Sequence, residues 1–393
     1  MTEVSIPYEI TFEEVPVPDT EDGIIDESEQ DDAGLVDIGE SSLTHFGADF
    51  DVAGLVRRLD DGDIIVPRFD PDESTGSELS GFQRQRVWST SKMEKFIESL
   101  LLGWPVPSIF LVVDADQRYL VLDGQQRLTT LQSFVHGRFP NGRQFVLRDV
   151  AEHLKNASFE SLNKESRRKL NNTFFQATVI EPKGTDGRES VYRLFGRLNS
   201  GGVTLTAQEI RVALYRGPVV DWIRDLNHDV NWRRLFGAPH IRLKDHELIL
   251  RSVALREVVA ESAPNWAESK SLYNPPMSDF LNSFLERHRR MDDVDRDVLD
   301  QAFAAVCEAL VVAGGAPSLR YQGSLNAAHV DAVLSTLMQL SIIGAMPEKD
   351  GIVEGLRSLR DSTAYSEFVT RSTSHSASVT GRLHSSWKAF TGS

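Results

Sequence analysis

Apolar and polar positions change period several times along the chain, and each change marks an element. Phe50, Val52, Leu55, Val56 and Leu59 have the spacing of a short amphipathic helix, and Ile64–Pro67 reads as a strand. Met93, Phe96, Ile97, Leu100 and Leu101 predict a helix with Ser91 as N-cap, Glu94 completing a capping box, and Gly103 and Pro105 ending it. A continuous apolar run over Ser108–Val113 predicts a strand, Asp114–Arg118 a turn, and Tyr119–Leu122 a second strand. At Asp123-Gly124 the period switches from 2 to 3.6, and Leu128, Leu131 and Phe134 or Val135 define one helical face. Further on, Asp245–Glu261, Ser278–Arg290, Val294–Val312 and Asn326–Ile343 each carry the i, i+3, i+4 spacing of buried helices. Short strands mixed with helices, followed by helices alone, predict an α+β fold: a small mixed domain and then an all-helical one.

The stretch Leu120–Leu131, LVLDGQQRLTTL, is chemically the most pointed. A strand that turns sharply into a helix leaves backbone N–H groups unpaired at the helix start, and these together with the helix dipole favour an anion such as phosphate. Arg127 in that first turn is a candidate charged donor to the same ligand. The plain structural alternative makes Asp123 a cap and pairs Arg127 with a carboxylate. Adjacent Gln125 and Gln126 fit that alternative poorly, since glutamine neither caps nor packs well.

Charge divides the chain. Residues 1–80 hold 23 Asp and Glu against Arg57, Arg58 and Arg68, whereas the remainder holds 35 acids and 39 bases. The formal net charge of −16 is therefore an N-terminal property. Residues 1–45 read as an acidic, disordered arm, a solubilising tail or a cover for the basic body. Residues 136–256 hold 21 Lys and Arg against 13 Asp and Glu, which leaves DNA as a candidate partner. Cys307 is the single cysteine, so neither a disulfide framework nor a thiolate zinc site is expected. The segment MTEVSIPYEI has neither a basic nor an apolar targeting region, and no apolar run approaches the roughly 20 residues of a membrane span. A soluble cytoplasmic protein is the expectation.

Four segments then carry a family likeness. FQRQRVW, KFIESLLLGWPVPSIFLV and YLVLDGQQRLTTL, followed by FGRLNSGGVTLTAQEIRVALYRG over Phe195–Gly217, resemble the GmrSD restriction endonuclease N-terminal domain family. The likeness covers roughly residues 46–217 and sets the expected division: an arm over 1–45, a nucleotide-binding domain over 46–217 and a helical domain over 218–393. It implies a ParB/sulfiredoxin-like nucleotide-binding fold, often NTP-hydrolysing, used in bacterial defence against phage and foreign DNA. Residue by residue it implies that Arg84, Gly124, Arg127, Asn199, Ser200, Gly201 and Gly202 bind a nucleoside triphosphate, with Asp123, Gln125 and Gln126 catalytic. Asp123 is also the natural ligand for Mg²⁺, and either glutamine could orient water. The Asn199–Gly202 loop has glycines for close backbone approach, and Thr206 with Glu209 forms a capping box after it. Longer relatives add an HNH nuclease domain, whose histidine–asparagine motif is missing from this sequence. Cleavage would then fall to a separate nuclease or other defence subunit, with an oligomer a further option. The competing reading is a DNA-binding or adaptor protein that grips phosphates without turnover.

Several other signals fall short. Gly137 and Gly142 have P-loop spacing, but Arg143-Gln144 stands where Lys-Ser/Thr is needed. Sulfiredoxin chemistry needs a cysteine where Gln125 and Gln126 stand. His240 and His246 are read as structural, and Trp88 and Trp104 as core or rim residues.

Overall fold

The computed structural model describes residues 24–25, 42–67, 88–114, 116–184, 187–198, 205–266 and 272–392. Its strands are β1 (Ile24–Ile25), β2 (Leu43–Asp51), β3 (Ile64–Ile65), β4 (Ile109–Val113), β5 (Tyr119–Asp123), β6 (Phe174–Pro182), β7 (Arg320–Tyr321) and β8 (Ser324–Asn326). In the first half the helices are α1 (Val52–Asp60), α2 (Thr90–Leu102), α3 (Gln125–Val135), α4 (Lys164–Asn171), α5 (Gly187–Leu198) and α6 (Ala207–Leu214). In the second half they are α7 (Pro218–Asn227), α8 (Val230–Phe236), α9 (Lys244–Ser262), α10 (Met277–Arg287), α11 (Arg296–Ala313), α12 (Ala327–Ile342), α13 (Lys349–Asp361), α14 (Thr363–Thr370) and α15 (Ser376–Thr391). The fold is α+β, as expected.

One five-stranded mixed sheet organises the first half, in the order β2-β6-β4-β5-β3. The pairs β2–β6 and β4–β5 are antiparallel, while β4–β6 and β3–β5 are parallel. Both faces of the central strands are covered, which is why they read as unbroken apolar runs. Leu111, Val121, Ala177 and Val179 face a core built with α1, α2, α3 and α4. Val112, Leu120, Leu122 and Ile180 face Val191 and Phe195 of α5 and Ile210 and Ala213 of α6.

Caps and turns show where local sequence sufficed. Asp114 Oδ1 accepts from the Asp116 and Arg118 amides at 2.8 and 2.9 Å, closing the β4–β5 hairpin. Thr206 and Glu209 form the expected capping box at α6. At α2 the reading is corrected: Ser89 is the N-cap, accepting from the Lys92 amide, while Ser91 lies inside the helix and donates to Asp149. Glu94 is buried and accepts from the Arg148 and Asp149 amides at 2.7 and 2.6 Å, so it holds a distant loop rather than capping its own helix. Phe50 belongs to β2 and not to the following helix, because Asp51 caps that helix through the Gly54 amide.

The second half packs around α9 and α12, both buried on nearly every side. A charge cluster sits between them. Asp331 accepts from Arg251 Nε and Nη2 at 3.1 and 2.7 Å and from Arg382 Nε and Nη2 at 2.9 and 3.1 Å. All three side chains have no solvent exposure. Among the described residues of the acidic arm, Ile24–Ile25 pairs in parallel with Leu325–Asn326, and Leu43–His45 opens β2. No helix among the described residues is long and apolar enough to cross a membrane.

Candidate functional site

The turn from β5 into α3 is built around a glycine that only glycine can be. Gly124 has φ +96°, the left-handed region, and a Cβ there would lie 2.5 Å from Ile109 Cγ2 on β4. The turn thus lets the chain reverse hard against the neighbouring strand. Gly124 occupies the N-cap position, and no side chain caps α3.

The expected cap and the expected phosphate donor are instead bonded to each other. Arg127 Nη2 donates to Asp123 Oδ2, and Arg127 Nη1 donates to the Pro107 carbonyl at 2.8 Å. The guanidinium is thereby folded back under the turn, tying strand end, helix start and the loop before β4 together. Its side chain is 10% exposed, whereas that of Asp123 is 43% exposed. So the carboxylate forms the rim and the arginine the floor. Two of its donors are engaged within the turn, and the pairing with a carboxylate is the one that the plain structural alternative expects.

Gln126 is structural in part. Its Oε1 accepts from the Trp88 amide at 3.0 Å, which fixes the chain at the entry to α2 against the start of α3. Trp88 packs edge-on against Phe96, with ring centroids 5.4 Å apart, and is a partly buried core residue. Gln125 sits beside Gln126 in the first turn and is partly exposed. Arg84, Asn199, Ser200, Gly201 and Gly202 lie outside the described residues, so the structure places five of the ten expected site residues in one turn. The Pro107 carbonyl and Ile109, which complete that turn, had no signal in the sequence beyond lying in the same apolar segment.

Asp123, whose Oδ2 accepts from Arg127, is the carboxylate that would hold Mg²⁺ in this turn; among the described residues no three His, Cys, Asp or Glu converge on a metal position. A single exposed carboxylate fits Mg²⁺ as it commonly binds, with phosphate oxygens and water completing the shell. The two histidines read as structural are so placed. His246 is buried, and burial pushes its pKa down to about 4, while His240 Nδ1 accepts from the Arg242 amide at 3.1 Å. Much of the basic excess in residues 136–256 is bound internally: Arg233 to Asp245, Arg242 to Glu209, and Arg251 to Asp331.

A second cluster, unforeseen from the sequence, joins α5 to α10. Arg193 donates to Glu189 at 3.0 Å and to Asp279 at 2.9 Å, and Asn282 Nδ2 donates to Glu189 at 3.1 Å. Desolvation, and then the adjacent Glu189 carboxylate, push the Asp279 pKa up to about 7 from 3.8, against the pull of Arg193. The folded state therefore holds a proton that the unfolded chain releases. That stability is complete below pH 4 and is lost as pH rises to about 7. We expect Asp279→Asn to be more stable than the parent at pH 8 by about 1 kcal/mol, discounted for partial exposure. Its melting temperature should also fall less between pH 4 and 7. Parallel melting curves for parent and variant across that range would refute this.

No curated protein and no solved structure matches the chain. The stretch that supplies β4, β5, β6, α5 and α6, and with them the whole Asp123–Arg127 turn, is a different matter. Residues 69–216 match the model of the GmrSD restriction endonuclease N-terminal domain family.

Proposed function

We propose that this chain is the nucleotide-binding, NTP-hydrolysing component of a bacterial anti-phage restriction system, acting on nucleoside triphosphate with Mg²⁺. The match over residues 69–216 supplies the restriction context, with DNA and a nuclease as the partner classes it points to. One observation supports the nucleotide reading most: a half-exposed carboxylate, Asp123, stands at the rim of a rigid strand-to-helix turn. The first amides of α3, which no side chain caps, would donate to a phosphate, and Asp123 would hold Mg²⁺ against it. Bound Mg²⁺ would neutralise charge developing on the phosphates. Gln125 is the residue in position to orient water, because Gln126 already accepts from Trp88. In this reading the domain has a ParB/sulfiredoxin-like ancestry and Arg84 and Asn199–Gly202 complete the phosphate site.

The alternative is a non-catalytic DNA-binding or adaptor protein. A specific observation favours it: Arg127 is folded into the turn and bonded to Asp123, so the pair holds structure as well as any ligand. Phosphate release from each of the four NTPs with Mg²⁺, with and without DNA, separates the two. The enzyme reading predicts turnover that Asp123→Asn lowers at least a hundredfold, about 2.7 kcal/mol, while nucleotide binding persists. No turnover in the parent with any NTP means an adaptor, and equal turnover in both proteins removes Asp123 from the reaction.

A further inference from the structure

Strand β2 ends the sheet, and its outer side has a defined chemistry. In the antiparallel pair with β6, the Ser42 carbonyl accepts from the Lys183 amide at 2.8 Å, and the Val52 amide donates to the Thr173 carbonyl at 3.1 Å. These bonds continue the β2–β6 register at its two ends, so even-numbered residues turn their backbone groups to β6. Leu43, His45, Gly47 and Asp49 therefore turn theirs outward. Among the described residues no strand pairs with that side.

Natural edge strands are usually guarded by lysine, proline, a bulge or brevity. β2 has none of these: it runs for nine residues as LTHFGADFD, and its register with β6 is unbroken. Phe46 is 44% exposed on this strand. An open, unguarded edge with an exposed aromatic side chain is a template for another strand.

The sequence of β2 is complementary to itself. Run antiparallel to a second copy about Gly47, it sets His45 opposite Asp49 and Phe46 opposite Ala48, twice over by symmetry. The central position falls on Gly47, around which a Cβ would meet nothing within 4 Å. The His45, Gly47 and Asp49 positions are those whose backbone groups face outward, so each opposed pair exchanges both main-chain bonds. A one-residue slip would lose the His45–Asp49 opposition and turn inward-facing backbone against outward-facing backbone.

We propose that β2 is a homodimerisation edge: two copies of this chain join antiparallel through residues 43–51, centred on Gly47, into one continuous sheet. The opposite edge does not compete, since β3 is only two residues long.

Sedimentation velocity of the full chain over a wide concentration range tests this, and amide hydrogen exchange at low and high concentration locates the contact. The expected result is a monomer–dimer equilibrium, with protection at His45, Gly47 and Asp49 that grows with concentration. Gly47→Pro removes an outward N–H without touching the β2–β6 ladder, so it should abolish the dimer. Asp49→Lys, an exposed change that spares the backbone, should weaken association at least tenfold, and His45→Asp added to it should recover most of that loss. A chain that stays monomeric throughout overturns the proposal. So does a dimer indifferent to both Gly47→Pro and Asp49→Lys, or protection of these amides that is independent of concentration, which would mean that residues 1–41 of the same chain fill the edge.

Discussion

Asp331→Ala should cost this protein about 3–5 kcal/mol, the range for breaking a buried ion pair by removing one partner. Asp331 pairs with both Arg251 and Arg382, and all three have no solvent exposure. Its two oxygens accept from four N–H groups on two helices, α9 and α15, besides sitting on α12. Without it, two buried guanidinium groups lose the carboxylate they share. Most domains are stable by only about 5–15 kcal/mol, so a loss of that size removes a large part of the margin. The urea midpoint followed by circular dichroism measures it, and a change below about 1 kcal/mol would mean that the pair contributes only geometry. A replacement of all three residues by matched apolar ones is a separate question, since such swaps are often neutral or stabilising.

Arg127→Ala is expected to lower stability by about 2–3 kcal/mol, and to lose nucleotide binding as a consequence of a loosened turn. The Pro107 carbonyl would lose its donor and Asp123 its cation in one step. Gly124→Ala should do comparable damage from the other side, by about 2–4 kcal/mol. It places a Cβ 2.5 Å from Ile109 Cγ2 at φ +96°, so steric and backbone strain add. Arg127→Lys should rescue little, because one ammonium cannot span the two acceptors as the guanidinium fork does. Denaturation midpoints and calorimetric NTP affinities, taken on the same variants, measure both effects. Full nucleotide affinity in a destabilised Arg127→Ala would remove this turn from the nucleotide site.

Several of the misreadings trace to a partner distant along the chain. Glu94 has the spacing of a capping box with Ser91, yet it bonds amides at positions 148 and 149, more than fifty residues on. Arg127 has the position of a phosphate donor, but the Pro107 carbonyl twenty residues earlier takes one of its N–H groups. Neither β2 nor β6 is read as a strand from the sequence, and Phe50 is assigned there to the helix that follows. Their alternation is diluted by exposed polar positions, since one side of β2 is open, and neither strand has the unbroken apolar run of β4. The Glu189–Asp279 cluster could not be anticipated, because its two carboxylates lie ninety residues apart and meet only through the packing of α5 on α10.

The sequence alone determined whatever depends on neighbours a few residues apart. It specified the amphipathic face Leu128–Leu131–Phe134 of α3, the β4–β5 hairpin, the Thr206–Glu209 box and the four long helices of the second half. It also carried the likeness that the family match over residues 69–216 bears out. Tertiary structure alone decided which of two chemistries each polar group adopted. Backbone register set which edge of β2 faces outward, and chain folding set that Arg127 lies beneath Asp123 and that Asp331 is shared by two arginines from different helices. For Asp331 and for the bond from Arg127 to the Pro107 carbonyl the physical reason is shared: desolvation forces a buried polar group to take whichever partner the fold brings within reach, and local spacing does not encode that partner.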